Sequence, residues 1–210
     1  MEFFGAHITD WVSSIVSLFG LIGIIALYFS FRAYKDDHER SRREKAIEMV
    51  QLWTTDLDKN TSSAQKFVEM LSREQCIKIA NGGKFKISKS EQVDALKKCF
   101  DEKNMPKGLD IATEEYEIPG NISYQIRWLI VQYLNLLETI LLSGREGIAK
   151  QSILDEQFQY LVNRNKGKTA LRTYREANNA EMDYPSITEF IRKLEERELA
   201  NIRSGSEELG

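Results

Sequence analysis

Residues 11–31 read WVSSIVSLFGLIGIIALYFSF, an apolar stretch without a charged side chain. At about 1.5 Å of rise per residue, a helix of this length crosses the roughly 30 Å hydrocarbon core of a bilayer. Because no water satisfies backbone groups inside that core, a helix is the conformation that keeps each N–H and C=O hydrogen-bonded. The stretch therefore predicts a transmembrane helix at residues 11–31.

Positive charge is distributed unevenly on the two sides of this stretch. Residues 1–10 contain no Lys or Arg, whereas residues 32–45 contain six. The positive-inside rule then places residues 1–10 outside and the C-terminal part in the cytoplasm. A cleaved signal peptide is disfavoured because the basic n-region is missing and the apolar run is too long. We expect a single-pass protein of a bacterial inner membrane, with the lipid membrane as its first partner.

Small side chains line part of the predicted span. Ser13, Ser17 and Gly20 fall close together on a helical wheel, and Gly23 lies on an adjoining stripe. Such residues let membrane helices approach closely, so the pattern predicts contacts between copies and a homo-oligomer. The alternative is that Gly and Ser are simply common in such helices. A pore is a further step, and no charged residue in the span supports it.

Composition excludes several classes of enzyme. The chain has 210 residues, a formal net charge of −3, and two histidines, His7 and His38. With no histidine after residue 38, Ser-His-Asp and Cys-His nucleophile systems and imidazole zinc sites are absent from the main domain. No Walker-type or G-x-G-x-x-G glycine loop occurs either. We therefore predict no metal and no cofactor, and favour a protein that is not an enzyme.

Beyond the span the pattern is helical, without sustained period-two alternation. We predict a membrane-proximal helix at residues 32–60 that continues from the span, a cytosolic helical bundle at residues 61–200, and a flexible tail at residues 201–210. Residues 122–142 are apolar on nearly every side. Since polar and charged side chains interrupt them, we interpret this segment as the central buried helix rather than a second span. The fold class is all-α.

Three polar residues of that central segment form a candidate network. Arg127 and Glu138 are eleven residues apart and share a helical face, with Asn135 about 80° away on the wheel. Buried together, they would form an Arg–carboxylate pair beside an amide, which needs full hydrogen bonding to be tolerated. A core network that fixes helix register is the favoured interpretation. A ligand-sensing or catalytic pocket is the alternative.

A basic run lies between residues 157 and 175, which contain no acid. Five positive side chains and two flanking tyrosines could bind nucleic acid, a nucleotide signal, anionic headgroups or a protein partner. A solvated helix face is the simpler interpretation. The candidate binding residues are Arg164, Lys166, Lys168, Arg172 and Arg175.

Short motifs in the C-terminal half resemble a bacterial family of unknown function: Tyr133-Leu-Asn135-Leu-Leu-Glu138, Gly147-Ile148, Ile153-Leu154-Asp155 and Tyr184-Pro185. Its members carry an N-terminal membrane helix and a small helical cytosolic domain with an N-x-x-E … D core, so the resemblance implies this architecture. It implies no activity, because none is assigned to the family.

The layout also looks like that of the type VI-B CRISPR membrane accessory proteins, in which helical domains related to HEPN oligomerise around a membrane pore. Arg32 and His38 resemble the Arg-x(4–6)-His pattern of HEPN ribonucleases, where both residues act on the scissile phosphate. These two are the weak catalytic candidates. Their position at the membrane exit argues against catalysis.

Taken together, these patterns predict a membrane-anchored, non-enzymatic sensor or effector that oligomerises and acts at the inner membrane, with antiviral defence as the expected role. The alternatives are a HEPN-like ribonuclease and a passive membrane tether that recruits a protein partner.

Overall fold

The computed structural model describes residues 3–88, 90–100, 115–163, 168–178 and 183–207, with side chains placed for 25–161, 170–198 and 200 within those ranges. These residues form eight α-helices, a short 3-10 helix and two antiparallel two-stranded sheets. The prediction of an all-α fold is therefore confirmed. The strands are two or three residues long, too short to give the alternation by which a strand is recognised in a sequence.

The first helix, α1 (Phe3–Asp56), contains 54 residues. At about 1.5 Å per residue it is about 81 Å long. Proline, which breaks helices, first occurs at residue 106. Ion pairs within the helix, Arg40–Glu44 and Lys45–Glu48, stabilise its charged part. The two predicted helices at residues 11–31 and 32–60 are thus parts of one continuous helix.

Helix α1 ends at Asp56, four residues before the predicted end of the membrane-proximal helix at residue 60. Asp58 is the N-cap of the next helix, α2 (Lys59–Glu69), and its carboxylate accepts a hydrogen bond from the Thr61 N–H at 2.6 Å. A capping carboxylate satisfies one of the unpaired N–H groups of a first helical turn. The polar residues 60–63 (Asn-Thr-Ser-Ser) therefore belong to the first turns of α2.

The chain then forms α3 (Arg73–Ala80), β1 (Phe85–Ile87), α4 (Ser90–Lys97) and β2 (Tyr116–Ile118). A capping box between Ser72 and Gln75 starts α3. Strands β1 and β2 pair antiparallel. The remaining elements are α5 (Gly120–Arg145), α6 (Gln151–Phe158), the 3-10 helix (Gln159–Leu161), β3 (Val162–Asn163), β4 (Lys168–Thr169), α7 (Arg172–Ala177) and α8 (Pro185–Glu207).

Helix α8 corrects the predicted tail. The sequence predicts that residues 201–210 are flexible, whereas α8 continues to Glu207. Residues after Asn201 include serine and glycine, which are weak helix formers. They nevertheless extend a helix that is already formed, and extension costs far less than nucleation.

Helix α5 is the centre of the folded domain. It packs against α1, α2, α3, α6 and α8 and contributes eleven buried residues. Its core side chains include Ile126, Ile130 and Leu134, all with 0% exposure. The interpretation of residues 122–142 as a central core helix agrees with this position.

Among the helices whose side chains are described, α5 alone is long and apolar enough to cross a membrane by length and composition, with 44% of its most apolar window buried. The core helix of a folded domain passes the same test. Residues 11–24 of the predicted N-terminal span have no described side chains, so that span stays a prediction.

The start of α5 is seated closely against the turn that follows α3. The hydroxyl of Ser123 donates a hydrogen bond to the carbonyl oxygen of Gly83 at 2.7 Å. Gly82 adopts a positive φ of 63°, which favours glycine. The backbone of Gly120 passes close to the carbonyl oxygen of Gly82. These two glycine positions let α3 and α5 approach at this corner.

Replacement of Gly120 by alanine tests this close approach. The added Cβ would lie 2.7 Å from the Gly82 carbonyl oxygen. Because that oxygen belongs to the backbone, we expect the free energy of unfolding to fall by about 1–3 kcal/mol, although alanine is the better helix former. Denaturant titration in detergent measures it. The control is Asn121→Ala at the next position, which is exposed. Equal stability of the two variants would contradict the close approach of Gly120 to the Gly82 carbonyl oxygen.

Candidate functional site

The candidate site is the junction where α1 meets the folded domain, because defined hydrogen bonds and an ion pair join the two there. Every described side chain of α1 from residue 25 to residue 38 is exposed. The first contacts with the domain occur at Glu39 and Arg42 of α1. The N–H of Lys150 donates to the Arg42 carbonyl oxygen at 2.9 Å, and the Lys150 ammonium lies 3.2 Å from Glu39 Oε1. We call Glu39, Arg42 and Lys150 the clamp.

A tight turn after α5 brings Lys150 to α1. Gly147 has a positive φ of 71°, the conformation that commonly ends a helix. The N–H groups of Ile148 and Ala149 both donate to the carbonyl oxygen of Ser143, at 2.9 and 3.0 Å. The turn is therefore fixed by the end of α5, and Lys150 follows as the N-cap residue of α6.

The clamp favours the ionised form of the Glu39 carboxyl. The hydrogen bond from Lys150 lowers the pKa of the Glu39 carboxyl, and the positive charges of Lys150, Arg43 and Arg42 act in the same direction. A lowered pKa means that the stabilisation is present above the ordinary value and is lost as the pH falls through the folded-state pKa. Because the pair is partly exposed, salt weakens it.

A second contact lies farther along α1. Trp53 is 6% exposed and meets two rings edge-on, Tyr133 of α5 at 5.4 Å and Phe158 of α6 at 5.3 Å between centroids. Its indole N–H donates to the Tyr160 hydroxyl at 3.1 Å. Eleven residues separate Arg42 from Trp53, about 17 Å along the helix. Two separated contacts therefore hold α1 in a defined direction against the domain.

Arg32 and His38 lie on the exposed part of α1, before the clamp. Six residues apart on a helix, their side chains point about 120° away from each other. His38 stacks on Tyr34, with ring centroids 6.3 Å apart. Within one protomer the pair does not converge on a common phosphate position, so the geometry gives the ribonuclease hypothesis no support.

The predicted basic patch is divided by the structure. Arg164 and Lys166 lie outside the described residues, and Lys168 is described only as part of strand β4. Arg172 is half-buried and pairs with Glu195 at 2.5 Å and Glu176 at 3.8 Å. Its charge is therefore balanced by acidic residues that are distant in sequence or one helical turn away.

Arg175 is a core residue, and its assignment to a binding surface was wrong. Its side chain is 2% exposed, with Nε donating to the Ala170 carbonyl at 3.1 Å and Nη1 to the Thr188 hydroxyl at 3.0 Å. Ala170 and Leu171 have positive φ angles of 46° and 59°, uncommon for residues with side chains. Arg175 thus holds a strained turn against α8.

The predicted buried network of Arg127, Asn135 and Glu138 does not form. Arg127 and Asn135 are exposed. Eleven residues along a helix also separate Arg127 from Glu138 by about 17 Å, too far for a direct ion pair. The Glu138 carboxylate instead accepts hydrogen bonds from the N–H groups of Ser186 and Ile187, at 2.9 and 3.0 Å. It caps the start of α8, where a negative charge is favourable.

The remaining predicted residues, Ser13, Ser17, Gly20 and Gly23, belong to helix α1, and their side-chain positions lie outside the described part. Their membrane contacts stay a prediction. In the part of the chain with described side chains, no group of three potential ligands is placed to hold a metal ion.

The sequence alone does not predict the clamp. Glu39 and Lys150 are 111 residues apart, and no local pattern joins them. Gly147, three residues before Lys150, was the available signal, since a glycine after a long apolar helix indicates a helix end and a turn. That signal locates the turn but does not identify its partner on α1.

Comparison with protein-family models, with curated proteins and with solved structures finds no match for this chain. The resemblance to a family of unknown function therefore stays a prediction.

Removal of the Glu138 charge tests the helix cap. We expect Glu138→Gln to lower the free energy of unfolding by about 0.5–2 kcal/mol, because it loses an acceptor and a charge that complements the helix N-terminus. Glu156→Gln, at an exposed position on α6, is the matched control. Chemical denaturation of both variants measures the difference, and a Glu138 effect no larger than that of the control would refute the cap.

Charge reversal tests the clamp. We expect Glu39→Lys and Lys150→Glu each to lower the melting temperature, because like charges then face each other, and the double variant to recover most of the loss. High salt should shrink the single-variant effects. The same reversal at Arg40 and Glu44, a pair within α1, is the control. Additive losses in the Glu39–Lys150 double variant would show that the two residues do not interact.

Proposed function

We propose that this protein is a single-pass, membrane-anchored effector whose continuous helix α1 couples a cytosolic helical domain rigidly to the bilayer. Residues 11–31 span the inner membrane of a bacterium, with the N-terminus outside. The domain acts without catalysis: it responds to a cytosolic signal or partner, assembles with other copies, and acts at the membrane.

The observation that carries this proposal is the exposed apolar surface of the part of α1 that precedes the clamp. Large apolar residues on this part of α1 are between 48% and 71% exposed: Ile25, Leu27, Tyr28, Phe29 and Phe31. At 100° per residue these five side chains cover about 200° of the helix circumference, and the small uncharged residues Ala26 and Ser30 lie on the remaining side. A helix surface that is this apolar and carries no charge requires a bilayer or a protein core around it. The described part of the domain supplies no cover there, which favours lipid.

The direction of the anchor follows from charge. The first described positive side chains after the apolar part are Arg32 and Lys35, both exposed. Residues 1–10 contain no Lys or Arg. A cytoplasmic domain agrees with the positive-inside rule. It also agrees with two free cysteines, Cys76 and Cys99, both buried.

The clamp and the Trp53 contacts support the mechanical part of the proposal. A helix that enters the domain at one hydrogen-bonded turn and one aromatic cluster transmits rotation or displacement without a flexible linker. Small residues at positions 13, 17, 20 and 23 would let α1 helices pack together in the membrane. A change in the assembly of the domains would then change the packing of the spans.

The type of effector is an inference from resemblance. Type VI-B CRISPR membrane accessory proteins share the layout of one membrane helix and a helical cytosolic domain, and this likeness favours a role in antiviral defence. Fold-level likeness does not establish function. The ribonuclease alternative has a direct test, because a HEPN-like enzyme would lose RNA cleavage in His38→Ala with folding intact.

Extraction and mass measurement of the full chain test the proposal. We expect the protein to stay with membranes in alkaline carbonate and to run in mild detergent as one defined oligomer. Gly20→Leu with Gly23→Leu should reduce the oligomer while insertion is unchanged, because bulk separates the helices. Ile22→Phe, which adds bulk on the face opposite Ser13, is the control.

The outcomes separate the alternatives. Release of the chain by carbonate would contradict the membrane anchor. A monomer that stays in the membrane would contradict the assembling effector and favour the passive tether. An unchanged oligomer in the double glycine variant would reject the predicted helix contacts.

A further inference from the structure

The end of α5 and the turn after it expose a small amphipathic surface. Ile148 is 56% exposed and Leu142 is 36% exposed. Arg145 lies between them in sequence, is exposed, and pairs with Glu146 at 3.2 Å. We call Leu142, Arg145 and Ile148 the rim. More than half of Ile148, at the tip of a tightly hydrogen-bonded turn, is therefore left uncovered by the described domain.

The clamp places the rim at a known level along α1. Lys150, two residues after Ile148, is bonded to Arg42 and Glu39. Eight residues separate Phe31 from Glu39, which is about 12 Å along the helix axis. The described side chains of α1 before Glu39 are all exposed. Of the described domain, the turn is therefore the part that contacts α1 nearest to its apolar segment.

That level is close to the membrane surface. If the hydrocarbon core ends near Phe31, the headgroup layer extends about 6 Å beyond it. The gap left to the level of Glu39 is about 6 Å, the length of one side chain. Isoleucine and arginine are suited to such a position, since an apolar side chain inserts and an arginine stem lies along the apolar boundary with its charge in water.

Helix α5 extends away from this surface. Arg42 of α1 lies beside the turn after α5, and Trp53 lies beside Tyr133. Helix α5 therefore runs antiparallel to α1, with its N-terminal end farthest from the apolar segment. Tyr124, 61% exposed, is 21 residues before Arg145, about 32 Å along α5.

We propose that the rim rests on the cytoplasmic headgroup layer of the bilayer, with Ile148 inserted between phospholipid headgroups and Arg145 beside their phosphates. This inference rests on the proposed function, because it needs α1 to span the membrane. Together, the clamp and the rim give the domain two supports, and they fix its tilt relative to the bilayer.

The protein offers a clean background for site-specific labelling. Burial raises the pKa of the Cys76 thiol to about 11 and that of Cys99 to about 12. Both side chains are buried. Because the thiolate is the reactive form, neither native cysteine should react at neutral pH in the folded protein. A cysteine introduced at an exposed position is then labelled alone.

The experiment measures the depth of a bimane fluorophore in the full chain, reconstituted in vesicles of phosphatidylethanolamine and phosphatidylglycerol. Three variants carry one label each: Ile148→Cys on the rim, Tyr124→Cys at the far end of α5, and Phe29→Cys on the apolar part of α1. Quenching is compared between lipids that carry a nitroxide on the headgroup and lipids that carry it in the acyl chain.

We expect the label at position 148 to be quenched several-fold more by headgroup nitroxide than the label at position 124, which is equally exposed but distant. The label at position 29 should be quenched mainly by the acyl-chain nitroxide. Equal quenching at positions 148 and 124, with position 29 in the acyl region, would overturn the rim contact alone. Loss of acyl-chain quenching at position 29 would overturn the membrane anchor and the rim contact together.

Discussion

The hydrogen-bonded backbone of α1 is the constraint on which the rest of the structure depends. An α-helix cannot bend sharply without proline, an inserted group or a local defect, and α1 runs from Phe3 to Asp56 as one element. Whatever holds its N-terminal part is therefore connected to the domain by a rod and not by a linker. The exposed apolar side chains on this rod require a cover that the described domain does not provide.

The domain contacts α1 at two separate levels. At one level of α1, the backbone N–H of Lys150 donates to the Arg42 carbonyl oxygen and its ammonium pairs with Glu39. About 17 Å farther along the helix, Trp53 packs between α5 and α6. A single contact would leave rotation about the contact free, whereas two separated contacts remove it. The conformation of Gly147 makes the contact of Lys150 with α1 possible, because it ends α5 and turns the chain back towards α1.

Local patterns in the sequence were sufficient for some elements. The apolar run of residues 122–142 predicted the central helix, which α5 forms. Contacts between distant residues were not predictable in the same way. Arg175 looked like one more charge in a basic run, but its burial depends on a strained turn at Ala170 and Leu171.

Glu138 is a second residue whose partner could not be predicted from local sequence patterns. The helical period determines the face of α5 on which it lies. Its partner is the N-terminus of α8, 48 residues later, and no spacing within α5 indicates that helix. The two small sheets were missed because their strands have too few residues to show alternation.

The continuity of α1 is the central claim, and one distance tests it most directly. Spin labels attached through Tyr28→Cys and Ile47→Cys, both at exposed positions, flank the exit from the apolar segment. Pulsed electron paramagnetic resonance on the full chain in lipid should give one narrow distance distribution between the labels. The two backbone positions should be about 29 Å apart, as 19 helical residues require. A broad distribution, or a clearly shorter distance, would show a hinge between anchor and domain and would contradict rigid coupling.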